Sequence, residues 1–144
     1  MSEIHWQIML EYQQELHRLS RALLSQSQKQ TLTASERELL ARLYLQPQES
    51  TPLALSRCSG MKKEAVSRCL KRLHEKDCIQ KERHPQDERS YILRLTERGE
   101  QELRESYGAI LRPLYELRRR MGPEAFDQLF TLIHAANQEA REEI

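Results

Sequence analysis

Long apolar runs are missing from this chain: nowhere do about 18 consecutive apolar residues occur, so no segment reads as a membrane-spanning helix. The start MSEIHWQIML lacks the basic stretch followed by an apolar block that a signal peptide requires, so the expected location is the cytoplasm, with no membrane partner. Cysteine is scarce and odd in number. Cys58, Cys69 and Cys78 cannot build a disulfide framework, which suits a reducing compartment. Only four glycines are present and none forms a phosphate-cradling loop. A nucleophile elbow, a zinc-protease helix and paired carboxylates in an apolar setting are missing too, and these absences argue against an enzyme. The five histidines, His5, His17, His74, His84 and His134, never fall at the i, i+4 spacing of a helical metal site, so neither a metal nor a cofactor is expected.

What is present is charge and helical periodicity. Charged residues make up 31% of the 144-residue chain against 38% hydrophobic, enough for one ordinary domain with a core. The formal net charge of +1 hides a sorting along the chain. Residues 57 to 98 hold twelve Lys/Arg and seven Asp/Glu, net +5, whereas residues 124 to 144 hold one and five, net −4. A basic middle on a near-neutral protein points to a localised anionic partner such as nucleic acid.

The apolar positions Ile8, Tyr12, Leu16, Leu19 and Leu23 recur every three or four residues and predict a long helix over 4 to 29. Thr33-Ala34-Ser35-Glu36 is a capping box, opening a second helix to about Gln46 with Leu39, Leu40 and Leu43 inward. Thr51-Pro52 reads as an N-cap with proline in the first turn, starting a short helix that stops near Gly60. From Lys62 to Lys76 an apolar side of Val66, Leu70 and Leu73 opposes a cationic side of Lys63, Ser67, Arg68 and Lys71. Ile79 to His84 and Ser90 to Leu95 read as two strands of a hairpin. Thr96 then caps a helix running to about Arg120 and bent near Gly108 and Pro113; Arg118, Arg119 and Arg120 offset the negative end of its dipole. Gly122-Pro123 precedes a last helix striped by Phe126, Leu129, Phe130, Ile133 and Ala136.

A short helix, a turn at Gly60, a helix with a cationic face and a hairpin are the parts of a winged helix-turn-helix. In that arrangement the second helix enters the major groove with its apolar back on the domain. Lys62, Lys63, Lys71 and Arg72 are then the expected phosphate contacts, and Ser67 and Arg68 the residues that read base edges. In the connecting loop, Asp87 is expected to orient the guanidinium of Arg89, which reaches into a minor groove. The plainer reading is an amphipathic surface helix beside a salt bridge that stiffens the hairpin. His84, beside the wing, is expected to face DNA or solvent.

The run AVSRCLKRLHEKDCI followed by ERHPQDERSYILRLTERG resembles the MarR family of transcriptional regulators, with Asp87-Glu88-Arg89 before Leu93-Arg94-Leu95-Thr96-Glu97-Arg98-Gly99. The likeness extends over the whole chain in length and order of elements. It implies a mainly α fold with a small β-hairpin wing, a winged helix-turn-helix with N- and C-terminal dimerisation helices. One MarR-like domain then occupies 1–144, with the winged part at about 33–98 and the helical dimerisation part at about 1–30 and 99–144. It further implies a homodimer on a roughly palindromic site in double-stranded DNA, acting as a repressor and released by a small-molecule effector. The long apolar stripes at the two ends independently favour pairing with a second subunit over covering each other within one chain.

Three positions depart from the family pattern. Lys62 replaces the usual Ser or Thr cap, leaving an amide uncapped at a cost of about 1 kcal/mol; Glu64 offsets part of this through the helix dipole. Ser59 stands where an apolar residue is usual and Asp77 where glycine is usual, the latter tolerated because Asp enters left-handed conformations. Cys69 and Cys78 match leucine positions and read as small core residues, whereas Cys58 beside Arg57 matches a polar one. The alternative functions are a winged domain used for protein contacts and a redox- or metal-responsive regulator.

Overall fold

Local signals set the start and end of most helices. The computed structural model describes residues 5–24, 31–48 and 50–142. Its elements are α1 (Trp6–Leu24), α2 (Ala34–Leu45), α3 (Pro52–Ser59), α4 (Lys63–Glu75), β1 (Ile79–Arg83), β2 (Tyr91–Leu95), α5 (Glu97–Ile110), α6 (Arg112–Met121) and α7 (Pro123–Glu142). The capping box forms as expected: Glu36 N–H donates to Thr33 Oγ1 at 3.2 Å and Thr33 N–H to Glu36 Oε1 at 3.4 Å. Thr51 Oγ1 accepts from Ala54 N–H at 3.2 Å, and Gly60 ends α3 at φ 71°, a left-handed backbone that glycine adopts without strain. Residue 4 and residues 25–29 of the expected first helix lie outside the described residues.

The chain divides into two compact units, one within Met1–Ser27 and Ile110–Ile144 and one within Gln28–Ala109. The second holds α2 to α5 and the hairpin. Leu39, Leu40, Leu43, Leu55, Val66, Leu70, Leu73, Ile79 and Leu93 are all buried in its core, each contributing about 1.5–3 kcal/mol through removal from water. β1 and β2 pair antiparallel with Ile79 opposite Leu95 and Arg83 opposite Tyr91. Leu93 N–H, on the other edge of β2, donates to the Ser50 carbonyl at 2.7 Å and ties the hairpin to the entry of α3.

Two expectations change. The helix expected from Thr96 to Arg120 is two helices, because hydrogen bonding is interrupted at Leu111 and Pro113, which has no N–H to donate, falls in the first turn of α6. The start of α5, expected in the dimerisation part, is built into the winged unit instead. Gly99, Leu103 and Ser106 are buried there, and a Cβ at residue 99 would be driven into the Cys78 carbonyl oxygen. Thr96 completes this junction: its hydroxyl donates to the Asp77 carbonyl at 2.6 Å and accepts from Gly99 N–H at 2.9 Å. The Leu-x-Leu-Thr-x-x-Gly motif is therefore a close-packed staple between the end of α4 and the start of α5.

In the other unit α6 packs on α7 and touches α1. Phe126 and Phe130 lie ring to ring at 4.7 Å. Neither α1 nor α6 contains a buried residue.

Candidate nucleic-acid interface

The last turn of α3, the turn at Gly60 and α4 form the helix-turn-helix. Ser59 Oγ accepts from Met61 N–H at 3.2 Å and Ser56 Oγ donates to the Met61 carbonyl at 2.8 Å, so the serine at position 59 knits the turn that an apolar residue would only fill. Lys62 has N-cap geometry at φ −67° and ψ 150° but makes no side-chain capping bond. At the other end the chain leaves α4 through Asp77 at φ 59°, the left-handed conformation expected of it.

Burial on α4 is one-sided: Val66, Cys69, Leu70 and Leu73 face the core while Lys63, Ser67, Arg68, Lys71 and Arg72 are exposed. At about 100° per residue, Arg68 and Lys71 stand opposite the buried side, with Ser67 and Lys63 on one flank and Arg72 on the other. Glu64 and Glu75 share the outer face with Arg68 and Lys71, an interleaving of acid and base visible in their spacing of four, three and four. Lys62, Lys63, Arg68 and Lys71 have no ion-pair partner among the described residues.

Arg72 differs from these cations. Its Nε lies 3.7 Å from Oε1 of Glu36, a carboxylate only 1% exposed, while its own side chain is 46% exposed. Lys76 Nζ donates to the other carboxylate oxygen at 2.6 Å and to the Thr31 carbonyl at 3.4 Å. Burial by itself raises the Glu36 carboxyl, but the Lys76 and Thr33 hydrogen bonds outweigh it and hold the group below the usual carboxylate value. Glu36 was legible as a cap; its second role, spanning 40 residues to Lys76, was not.

The wing corrects one expectation. Asp87 Oδ1 accepts from the backbone N–H of Arg89 at 3.0 Å, not from its guanidinium, because the two-residue spacing places the carboxylate over that amide. Asp87 therefore shapes the turn and leaves the exposed Arg89 side chain projecting from it. His84 turns onto its own loop, with Nδ1 accepting from the N–H groups of Gln86 and Asp87, each at 3.1 Å. Below the tip, Arg94 pairs with Glu82 at 3.2 Å and Lys81 Nζ lies 4.8 Å from the Tyr91 ring centroid.

Cys69 and Cys78 are core residues, and burial pushes both thiols up, away from reactivity. Cys58 is half-buried. Among the described residues no group of His, Cys, Asp and Glu could hold a metal ion, and no helix is long and apolar enough to cross a membrane.

Together the turn, the α4 face and the hairpin define a winged helix-turn-helix, the architecture of a regulator of transcription. More particularly, the model of the transcriptional regulator SarA/Rot family matches residues 22–105, more than half of the chain, and the chain belongs to that family. The resemblance to MarR-family regulators is borne out in the fold. The PcaV transcriptional regulator of Streptomyces coelicolor, solved with its natural ligand, is 21% identical over 97% of this chain and 99% of that one, with a TM-score of 0.58. Apo MarR from E. coli is 20% identical over 94% and 98%, TM-score 0.58. ZitR of Lactococcus lactis, a zinc-responsive family member, is 20% identical over 92% and 98%, TM-score 0.56.

Proposed function

We propose that this regulator binds double-stranded DNA sequence-specifically as a homodimer and represses transcription from a roughly palindromic operator. The observation that carries this reading is the exposed α4 face, where Lys62, Lys63, Arg68 and Lys71 stand without ion partners among the described residues, beside a wing with an exposed Arg89. Cations wholly engaged within the protein would have less to gain from phosphate, whereas Arg72, paired with Glu36 at Nε, keeps 46% of its side chain in solvent. In this reading Lys62, Lys63, Lys71 and Arg72 contact phosphates, Ser67 and Arg68 read base edges, and Arg89 enters a minor groove from a turn shaped by Asp87. The homodimer is supported by the terminal unit, whose apolar residues Trp6, Tyr12, Leu16 and Tyr115 are 58% to 70% exposed in the single chain. A second copy is the partner that covers them in kind.

A small-molecule effector releases the protein by fitting better when the two recognition helices are out of step with successive major grooves, about 34–36 Å apart. In the winged unit a groove of about 450 Å³ beside Tyr44, Pro47, Leu95 and Arg94 has the volume such a ligand needs.

Selection of bound duplexes from a random library tests the whole reading. An enriched palindrome whose binding weakens steeply with salt is expected; no enrichment and no salt dependence would sink it. Arg89→Ala is expected to cut affinity sharply with the melting temperature nearly unchanged, whereas the reverse pattern would make the wing a merely structural hairpin.

A further inference from the structure

Among the described residues of the winged unit Glu36 is the one buried carboxylate, and what surrounds it is asymmetric. Lys76 directs its ammonium inward, to Glu36 Oε2 at 2.6 Å and to the Thr31 carbonyl. Arg72 meets the same carboxylate through Nε at 3.7 Å yet keeps 46% of its side chain in solvent. A guanidinium carries five N–H donors in a planar fork, so an ion pair at Nε, with the buried Cys69 thiol also interacting with it, still leaves donors for an outside anion. An ammonium has no such second edge fixed in space.

We propose that Glu36 is a positioning residue for DNA binding: it fixes the Arg72 guanidinium from its inner side so that the outer donors meet a backbone phosphate. This rests on the DNA-binding reading above. Arg68 and Lys71, which have no ion-pair partner among the described residues, lose rotamer freedom when they bind, whereas Arg72 is already drawn to Glu36 by an ion pair at 3.7 Å. The carboxylate suits this task because it is ionised, buried, and fastened at its other oxygen by Lys76 and at the start of α2 by Thr33. It thus makes one side chain of α4 a prepaid, direction-specific phosphate donor.

The sign of one substitution separates this from bulk electrostatics. Glu36→Gln keeps the shape and the capping oxygen but removes a negative charge, so charge alone makes the variant bind DNA more tightly. The buttress demands the opposite. Titration of a fluorescein-labelled mixed-sequence duplex by anisotropy is expected to show about fivefold weaker binding, with the slope of log K against log salt reduced by about 0.9, one phosphate contact. Arg72→Lys, which keeps the charge but cannot bridge carboxylate and phosphate, is expected to lose about tenfold. Thermal melts confirm that each variant is folded; should Glu36→Gln not fold, Arg72→Lys decides alone. Glu36→Gln binding as tightly as wild type or tighter, or Arg72→Lys binding like wild type, overturns the buttress while leaving the DNA-binding reading intact. Wild-type protein without salt-dependent duplex binding overturns both.

Discussion

The winged unit and the terminal unit are made from similar amphipathic helices and end at opposite extremes of burial. In the winged unit the apolar faces of α2, α3, α4 and α5 converge with the hairpin, and leucines such as Leu39, Leu40 and Leu73 are wholly buried. In the terminal unit α1 and α6 bury no residue, and Trp6, Leu16, Tyr115 and Leu132 stand about 70% exposed. The same periodicity has thus been satisfied in one region within the chain and left open in the other. In the homodimer proposed above, a second copy would cover this apolar surface.

The open apolar face of the terminal unit is most sensitive to substitution on α1. Tyr12→Asp combined with Leu16→Asp removes two large apolar contacts of about 2 kcal/mol from each chain of the proposed homodimer, so its dissociation constant is expected to rise by at least about 1,000-fold. Sedimentation velocity should show a monomer whose winged unit retains its circular dichroism. A dimer of unchanged affinity would mean that the open face has another purpose. The converse effect belongs to Gly99 in the winged unit. Gly99→Ala forces a Cβ against the Cys78 carbonyl and the Leu95 side chain, and is expected to cost about 3 kcal/mol, read as a fall in melting temperature with the dimer unaltered. An unchanged melting temperature would show that the α4–α5 junction yields easily.

How much of this was legible follows from the reach of each interaction. Thr33 and Thr51 were readable as caps because the backbone N–H donors that they accept from lie three residues away, and the leucine stripes because a helix repeats its face within a few residues. Gly99 was readable as a motif position by resemblance, but its physical reason, the Cys78 carbonyl twenty-one residues earlier, belongs to the folded chain. The Glu36–Lys76 pair and the Ser50–Leu93 bond are likewise long-range and leave no periodic trace. The wing shows a finer failure. The residues at its turn were identified, but Asp87 met a backbone amide where a guanidinium was expected, and His84 closed its own loop. Charge pairing on paper overlooks the nearer competitor, the peptide N–H.

Acid should act on the winged unit through Glu36. Its folded carboxyl titrates below 4.5, so between the two values the unfolded chain binds the extra proton. The stability that this group contributes is therefore complete above about pH 4.5 and lost as pH falls through the lower folded value. Glu36→Gln should cost about 2 kcal/mol at neutral pH, less than a fully buried ion pair because Arg72 and Lys76 remain half in water. Melting curves of wild type and variant should then converge in acid. Parallel curves down to low pH would place the acid sensitivity elsewhere.

The smallest effect concerns the two ends of α4, one anchored and one bare. Lys76 holds the C-terminal end to Glu36, whereas Lys62 already has the φ and ψ of an N-cap but nothing to cap with. Lys62→Ser supplies the missing acceptor without moving the backbone, and is expected to raise stability by about 1 kcal/mol. The same change deletes a cation at the start of the α4 face. If Lys62 contacts phosphate, the salt slope of duplex binding falls by about 0.9 while the melting temperature rises, so stability and affinity move in opposite directions. A rise in melting temperature with an unaltered slope would remove Lys62 from the interface and leave the uncapped turn without a functional reason.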